Sequence, residues 1–371
     1  MKTTWKRFLL VLAFSVMAFS VLAQPESDSK KAAYAMLIEA IELMDDGKIE
    51  ESIELLEKAQ KVDPEDDIIY PYEIALAYTK KEDYKQSIKI LKKLLKRDDV
   101  YDQVYQLLGN SYSLSGKAKK AIATYEKGLS LFPASGPLHL ERGTMELKED
   151  RLDKALYFYE KGIAVQPTFA SNYFWTSRIY ALATHEEVWG MIYGEIFMNL
   201  EFATERTYAT GELLFNTYQN EITLTNDSQA SVSFSRNQLN IDEIKIKVKG
   251  KEPTLPFPLK VYEPLMLLSV LGETEINLAS LNRIRAKFLS SYFENGFNDE
   301  YPNILFEFQK EILDAGHFEA YNYWLLGPGD EEAFDQWRTE NEEDWAAFVE
   351  WFSDNDLEID DQVHYFHRSQ Y

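Results

Sequence analysis

Residues that close helical stretches recur in this sequence at a nearly fixed interval. Pro64, Asp99, Pro133 and Pro167 are 35, 34 and 34 residues apart. Aligning on them brings further positions into register: Ala40, Ala75, Gly109 and Gly143; Leu43, Tyr78, Tyr112 and Glu146; Gly47, Glu82, Gly116 and Asp150. Ser52, Ser87, Ala121 and Ala155 align too, as do Leu56, Leu91, Tyr125 and Tyr159, and Ala59, Leu94, Gly128 and Gly162. The spacing within a unit predicts two helices joined by a short turn, as in Leu107 to Pro133 with its turn at Ser115-Gly116. A glycine inside a helix costs about 1 kcal/mol relative to alanine. Gly109 and Gly128 therefore need a reason, and close helix crossing supplies one, because a large side chain there would hold the backbones apart. Tyr112 and Tyr125 fill the space beside the small residues. Proline ends the second helix because it lacks the donor that would continue it. A unit of this size buries its apolar face only by stacking on its neighbours.

The pattern resembles the tetratricopeptide repeat, over roughly residues 32–169. A degenerate fifth unit follows, with Asn172 to Leu182 as its first helix and Glu187 to Phe202 as its second. There Trp189 falls where a small residue is expected and Gly190 comes one step later, which marks a slipped register or altered packing at a junction. The resemblance implies a right-handed superhelix whose concave face is lined by the first helices. In that family this face holds peptides or partner helices, a binding architecture rather than a catalytic one. The matching groove positions are Tyr34, Tyr72, Lys80, Gln103, Gln106, Asn110, Thr144, Lys148, Phe174 and Arg178, with Leu37, Ile41, Ile69, Leu76 and Leu140 among them. One subclass grips acidic C-terminal tails through Lys, Asn and Arg. Leu76, Leu107 and Glu141 stand at the positions that would have to supply it, so that ligand is not expected.

Past about Thr204 the period is lost. Glu205 to Leu224 reads as a helix, and Ala230 to Asn237 and Asp242 to Gly250 alternate like half-exposed strands. They are expected to pair as a hairpin connected by Asn237 to Ile241. Gly250 to Lys260, with three prolines, reads as a loop. Helical spacing returns at 261–271, 278–295, 302–315, 317–326, 331–339 and 342–353. In the last of these, Trp345, Phe348, Val349 and Phe352 form one apolar stripe, expected to face a core. The expected fold class is thus mainly α: a solenoid of four clear repeats and one degenerate one, then a mostly helical C-terminal region with a small β-hairpin.

Two charge features stand out against a formal net charge of −23. Lys80 to Arg97 carries eight basic residues, mostly on a second helix, and Asp299 to Asp361 carries twenty acidic residues against Lys310 and Arg338. The first reads as a solvated face or a dock for an acidic surface, the second as a soluble exterior, a surface for cations or a basic partner, or a match for the Lys80–Arg97 face of another copy. The overall charge argues against nucleic acid as a partner. At the start, Lys2, Lys6 and Arg7 precede an uncharged run from Phe8 to Leu22, and Val21-Leu22-Ala23 offers a cleavage site. This is the layout of a secretory signal peptide, with an uncleaved anchor as the alternative. The expected organisation is a signal peptide at 1–23, a polar linker at 24–31, repeats at 32–203 and the C-terminal region at 204–371. With no cysteine in the chain, neither disulfides nor a lipid-modified cysteine is expected, and the protein is placed in the periplasm or outside the cell if bacterial.

Catalytic patterns fail on inspection. His185 to Trp189 has tryptophan where a zinc protease needs its second histidine. Ser27 to Lys30 fits S-x-x-K by spelling alone, and His364 and His367 form only a sparse metal pair. Asp354 to Asp361 lacks the glycine and closing glutamate of a calcium loop. No enzyme activity, cofactor or metal is expected. A protein or peptide partner is, with no stable membrane insertion once the signal is removed and with self-association left open. The alternative is a glycan or small-ligand site, or a catalytic one, in the aromatic, acidic C-terminal half, displaying Trp324, Trp337 and Trp351 around a pocket.

Overall fold

The computed structural model describes residues 28–66, 68–226, 229–235, 255–360 and 366–371. The expected leader at 1–23 and the strand expected at 242–250 lie outside them. The described chain is mainly helical with one two-stranded sheet, and its contacts fall into two compact units, one up to Arg97 and one from Asp98.

The first unit contains two helical hairpins, α1 (Asp28–Asp45) with α2 (Ile49–Val62), and α3 (Ile69–Lys80) with α4 (Tyr84–Leu94). Helix α1 starts inside the stretch read as a linker, with Asp28 in its first turn, where a carboxylate suits the helix dipole. Leu37, Ala40, Leu56, Ala59, Tyr70 and Ile74 are buried together. The Ser52 hydroxyl donates to the Ala40 carbonyl at 2.7 Å and draws α2 onto α1 at two of the aligned small positions.

The second unit continues with α5 (Asp102–Leu114), α6 (Ala118–Leu131), α7 (Gly136–Leu147), α8 (Leu152–Val165), α9 (Ala170–Ala183) and α10 (Glu187–Leu200). The helix-interior glycines are where backbones meet side chains of the adjoining helices. A Cβ on Gly109 would stand 2.0 Å from the Tyr125 ring, and one on Gly128 would stand 2.9 Å from Tyr105 Cβ and 2.8 Å from Leu138 Cδ1. Gly128 thus touches the first helix of its own repeat and the first helix of the next. The four aligned turn positions, Gly47, Glu82, Gly116 and Asp150, all have positive φ, between 56° and 79°. A left-handed residue closes every one of these hairpins, and only two of the four are glycine.

The fifth repeat keeps the architecture with its register moved by one residue. Gly190, not residue 189, packs against Ala181 of α9, and the Ser177 hydroxyl donates to the Gly190 carbonyl at 2.7 Å. The displacement frees Trp189 to meet Phe257, Phe366 and Tyr371, all at ring-centroid distances near 6 Å. Every residue of α10 from Glu187 to Asn199 is buried, as befits a helix with partners on all sides. Helix α11 (Glu205–Glu221) then packs on α10 and α9 as the first helix of a further repeat would.

The sheet differs from expectation. The chain leaves the helix at Glu221 and forms β1 (Ile222–Asn226), which pairs antiparallel with β2 (Gln229–Val232), Ile222 opposite Val232. The described partner of the first expected strand is therefore the end of the segment read as helix, where Ile222, Thr223, Leu224 and Thr225 favour an extended chain. The proline-rich stretch read as a loop turns helical at its end, a π-turn at Pro258–Tyr262 running into α12 (Glu263–Val270). Then come α13 (Leu278–Glu294), α14 (Phe297–Glu300), α15 (Ile304–Asp314), α16 (Phe318–Leu326), α17 (Glu331–Glu340) and α18 (Glu342–Asp354). In α18 Phe348 is buried and Trp345 and Phe352 are half-buried, but Val349 is exposed, so the expected stripe is narrower by one residue. The core does not stop where the repeat period does. Ile163, Tyr193, Phe197, Phe257, Phe288 and Tyr321 belong to one buried cluster.

The glycine contacts set a test. Gly109→Ala gains about 1 kcal/mol of helix propensity but forces a Cβ into a buried ring, an overpacking that costs about 1–3 kcal/mol. We expect a net loss of stability in urea unfolding. Unchanged or raised stability would mean that Tyr125 moves aside freely.

Candidate functional site

In the second unit the first helices α5, α7 and α9 lie side by side, and polar side chains bridge them at a recurring separation. Gln106 Nε2 donates to Glu141 Oε1 at 3.0 Å, and Lys148 Nζ donates to Ser113 Oγ at 3.0 Å, each pair 35 residues apart. Arg206 Nη1 donates to Ser171 Oγ at 3.0 Å across the same separation of 35 and carries the pattern onto α11. In the first unit Lys80 Nζ meets Asp45 Oδ1 at 2.9 Å, again 35 residues away. One repeat plus one residue is the step between facing side chains of adjacent first helices.

The expected groove residues divide by these contacts. Asn110 Nδ2 donates to Glu141 Oε1 at 3.0 Å, while its Oδ1 accepts from the Tyr125 hydroxyl at 2.5 Å. Burial, with the Glu141 charge as a second cause, pushes the Tyr125 hydroxyl far above its usual range, so it stays a proton donor. Thr144 bonds the Tyr159 hydroxyl at 3.2 Å, and burial pushes that phenol up to about 12. Gln106, Asn110, Thr144 and Lys148 thus form one polar surface on α5 and α7, held by Glu141, Tyr125, Tyr159 and Ser113. Gln103 is exposed. Phe174 does not face an open groove: it is buried against Phe197, with the Arg206 and Arg178 guanidinium groups 5.1 and 5.5 Å from its ring. In the first unit Tyr34 is 61% exposed, beside exposed Ile38 one turn on, and Tyr72 is half-buried. Sequence reasoning used Glu141 only to exclude a carboxylate clamp. The amide-to-carboxylate separation of 35 was the signal that it organises the face.

A second cluster lies deep in the same unit. Arg285 donates from Nη2 and Nη1 to the two Glu195 oxygens at 2.6 and 3.0 Å, to the Tyr218 hydroxyl at 3.0 Å and from Nε to Asn322 Oδ1 at 2.6 Å. Gln309 and the Tyr321 hydroxyl donate to Glu195 Oε1 at 2.6 and 2.9 Å. Both charged side chains are at most 6% exposed. Burial alone would lower the Arg285 pKa, but the Glu195 charge and hydrogen bonds together with Tyr218 and Tyr321 outweigh it, and the net shift is upward. The cluster borders a cavity of about 20 Å³, lined also by Met191, Tyr262 and Phe306. That volume suits a water molecule.

The tryptophans expected around a ligand pocket are packed inward. Trp337 is 8% exposed, stacks on Tyr323 at 4.4 Å and donates to Glu319 at 2.9 Å, while Trp324 and Trp351 are half-buried against Phe352 and His317.

Residues 72–101 and 102–135 match the family model described as the tetratricopeptide repeat, so this part of the chain consists of tetratricopeptide repeats. Among solved structures, a thermophilic repeat protein of this kind from Thermus thermophilus, TTC0263, is 18% identical, with a TM-score of 0.42 over 49% of this chain and 98% of that one. PilF of Pseudomonas aeruginosa is 17% identical, with a TM-score of 0.41 over 52% and 87%. MamA from Desulfovibrio magneticus RS-1 is 16% identical, with a TM-score of 0.34 over 47% and 97%. A comparison with curated proteins gives no match.

The buried pair sets the next test. Removing one partner of such a pair leaves an uncompensated charge and costs about 3–5 kcal/mol. Arg285→Met should lose stability on that scale in chemical denaturation, and adding Glu195→Leu should recover part of the loss. Additive losses would mean that the two side chains act independently.

Proposed function

We propose that this chain is an exported, non-enzymatic interaction protein that holds a peptide or a partner protein against the first helices of its repeats. The observation that carries the reading is the ordered polar surface on α5 and α7. Tetratricopeptide repeats are in general a protein-binding architecture, and the matched segment includes α5. Side-chain amides both donate and accept, as a peptide backbone does. Here Glu141 and Tyr125 already fix the amides, so binding would order few side chains. Exposed Gln103 and Lys148 flank them. In the first unit, exposed Tyr34, Ile38 and Ile69 offer apolar contacts of the kind a partner side chain would cover. Two observations support a binding role over a catalytic one. The cavity beside Glu195 and Arg285 has room for water only and Trp337 is packed inward, while the roomier pocket lined by Thr168, Leu200 and residues 356–360 is open to solvent. The charged start, apolar run and small residues before Gln24 support export.

The test uses a variant confined to exposed positions, Tyr34→Ser, Gln103→Ala and Lys148→Glu. Surface changes of this kind shift stability by about 0.5 kcal/mol or less each, so the fold should hold. We expect the tagged wild type to recover a partner from the native envelope fraction and the variant to lose it. Equal recovery by both would move binding off the first helices. Protein from that fraction should begin at Gln24 on N-terminal sequencing; a retained Met1 would replace cleavage by the uncleaved anchor, and absence of the protein from that fraction would overturn the export reading.

A further inference from the structure

The outer face of α4 is an exception on so acidic a chain. Residues 84–96 contain five lysines and no carboxylate, and Lys85, Lys89, Lys92, Lys93 and Lys96 are all exposed. The helical turn continues through Lys96, whose backbone N–H donates to the Lys93 carbonyl. Neighbouring Lys80 and Lys81 are neutralised by Asp45 and Glu50, but among the described residues none of the five forms an ion pair.

Helix α18 is the counterpart in charge. Between Asp330 and Asp360 lie thirteen carboxylates and a single basic side chain, Arg338, which is paired with Asp335 at 2.8 Å. Within α18 Glu342, Glu343, Asp344, Glu350 and Asp354 are exposed, as are Ala346, Ala347 and Val349. The spacings match. Lys96, Lys89 and Lys85 are separated by seven and then four residues, and so are Glu343, Glu350 and Asp354, read in the opposite chain direction. Steps of four and seven keep each set on one helical face, and each set spans about 16 Å at 1.5 Å per residue. Laid antiparallel with those pairs opposed, Lys93 and Lys92 come opposite Ala346 and Ala347, where small side chains allow close approach.

We propose that the chain associates head to tail with copies of itself, the α4 lysine face of one copy lying antiparallel on the α18 carboxylate face of another. The inference draws nothing from the first-helix surface and stands or falls apart from it. Because the two faces differ, the contact is heterologous: a dimer still exposes one free face of each kind and can grow into rings or chains. Salt acts in two directions. The net charge of −23 repels copies at low ionic strength. At about 0.15 M salt, screening over about 8 Å removes most of that repulsion while paired side chains still attract, and at about 1 M the attraction is screened as well.

Sedimentation velocity on the purified full-length protein tests this. At intermediate salt the mass should rise with protein concentration beyond a dimer, and it should fall to the monomer near 1 M salt. Lys85→Glu with Lys89→Glu and Lys96→Glu should be monomeric, and so should Glu343→Lys with Glu350→Lys and Asp354→Lys. The chain carrying all six changes should assemble again, a recovery that a mere folding defect cannot produce. A wild type that stays monomeric at every concentration overturns the proposal, as does assembly that ignores the reversals. It is equally overturned if the wild type stays monomeric while binding phosphatidylglycerol vesicles through the three lysines.

Discussion

A helical hairpin of this size cannot bury its apolar side alone, and everything else in the molecule follows from how that side is covered. Within the repeats the cover is the next hairpin, brought close enough by small residues that ring faces touch backbone. The contact of Gly109 with Tyr125, and of Gly128 with Tyr105 and Leu138, is the local form of this rule. The rule also creates an end problem, because the last hairpin has no successor. Here the successor is α11, followed by a helical region that shares one core with the fourth and fifth repeats.

That shared core contains charge as well as hydrocarbon. Glu195 projects from the second helix of the fifth repeat and takes hydrogen bonds from side chains on α13, α15 and α16. At the edge of that core, buried Glu160 of α8 pairs with the exposed Arg368, whose guanidinium lies 5.5 Å over the Tyr180 ring. Buried pairs add little net stability over well-packed apolar groups, but they penalise any arrangement that leaves one partner behind. In this chain the Glu195–Arg285 pair penalises any arrangement in which another face of α10 meets α13.

Much of this was legible in the sequence, and the boundary of legibility has a physical cause. The repeat, its turns and the helices of the second half follow from period and residue size, which are local properties. The left-handed residues at Glu82 and Asp150 could be placed by alignment with Gly47 and Gly116, although neither is glycine. Phe174 was misplaced because the periodic pattern says which helix face it occupies, not that Phe197 and Arg206 cover that face. Glu195 and Arg285 were invisible for a related reason: 90 residues separate them, and nothing in either neighbourhood announces the other. The strand partner of β2 was missed because Ile222 to Thr225 continue a helical periodicity while their side chains prefer an extended backbone.

The one-residue slip at Gly190 has a consequence for how such a chain can change length. Contacts between neighbouring first helices recur at a separation of 35, so a tandem copy of the third repeat would keep Gln106 and Ser113 opposite Glu141 and Lys148 of the fourth, while the new junction between the copies would set Gln106 against Leu107. An added repeat after α10 would find no such match, because Trp189 and the rest of that helix are shaped to the segments that follow. The array can be extended from within but not at that junction. Repeats inserted upstream of α9 would leave the contacts of Trp189 with Phe257 and Phe366 in place.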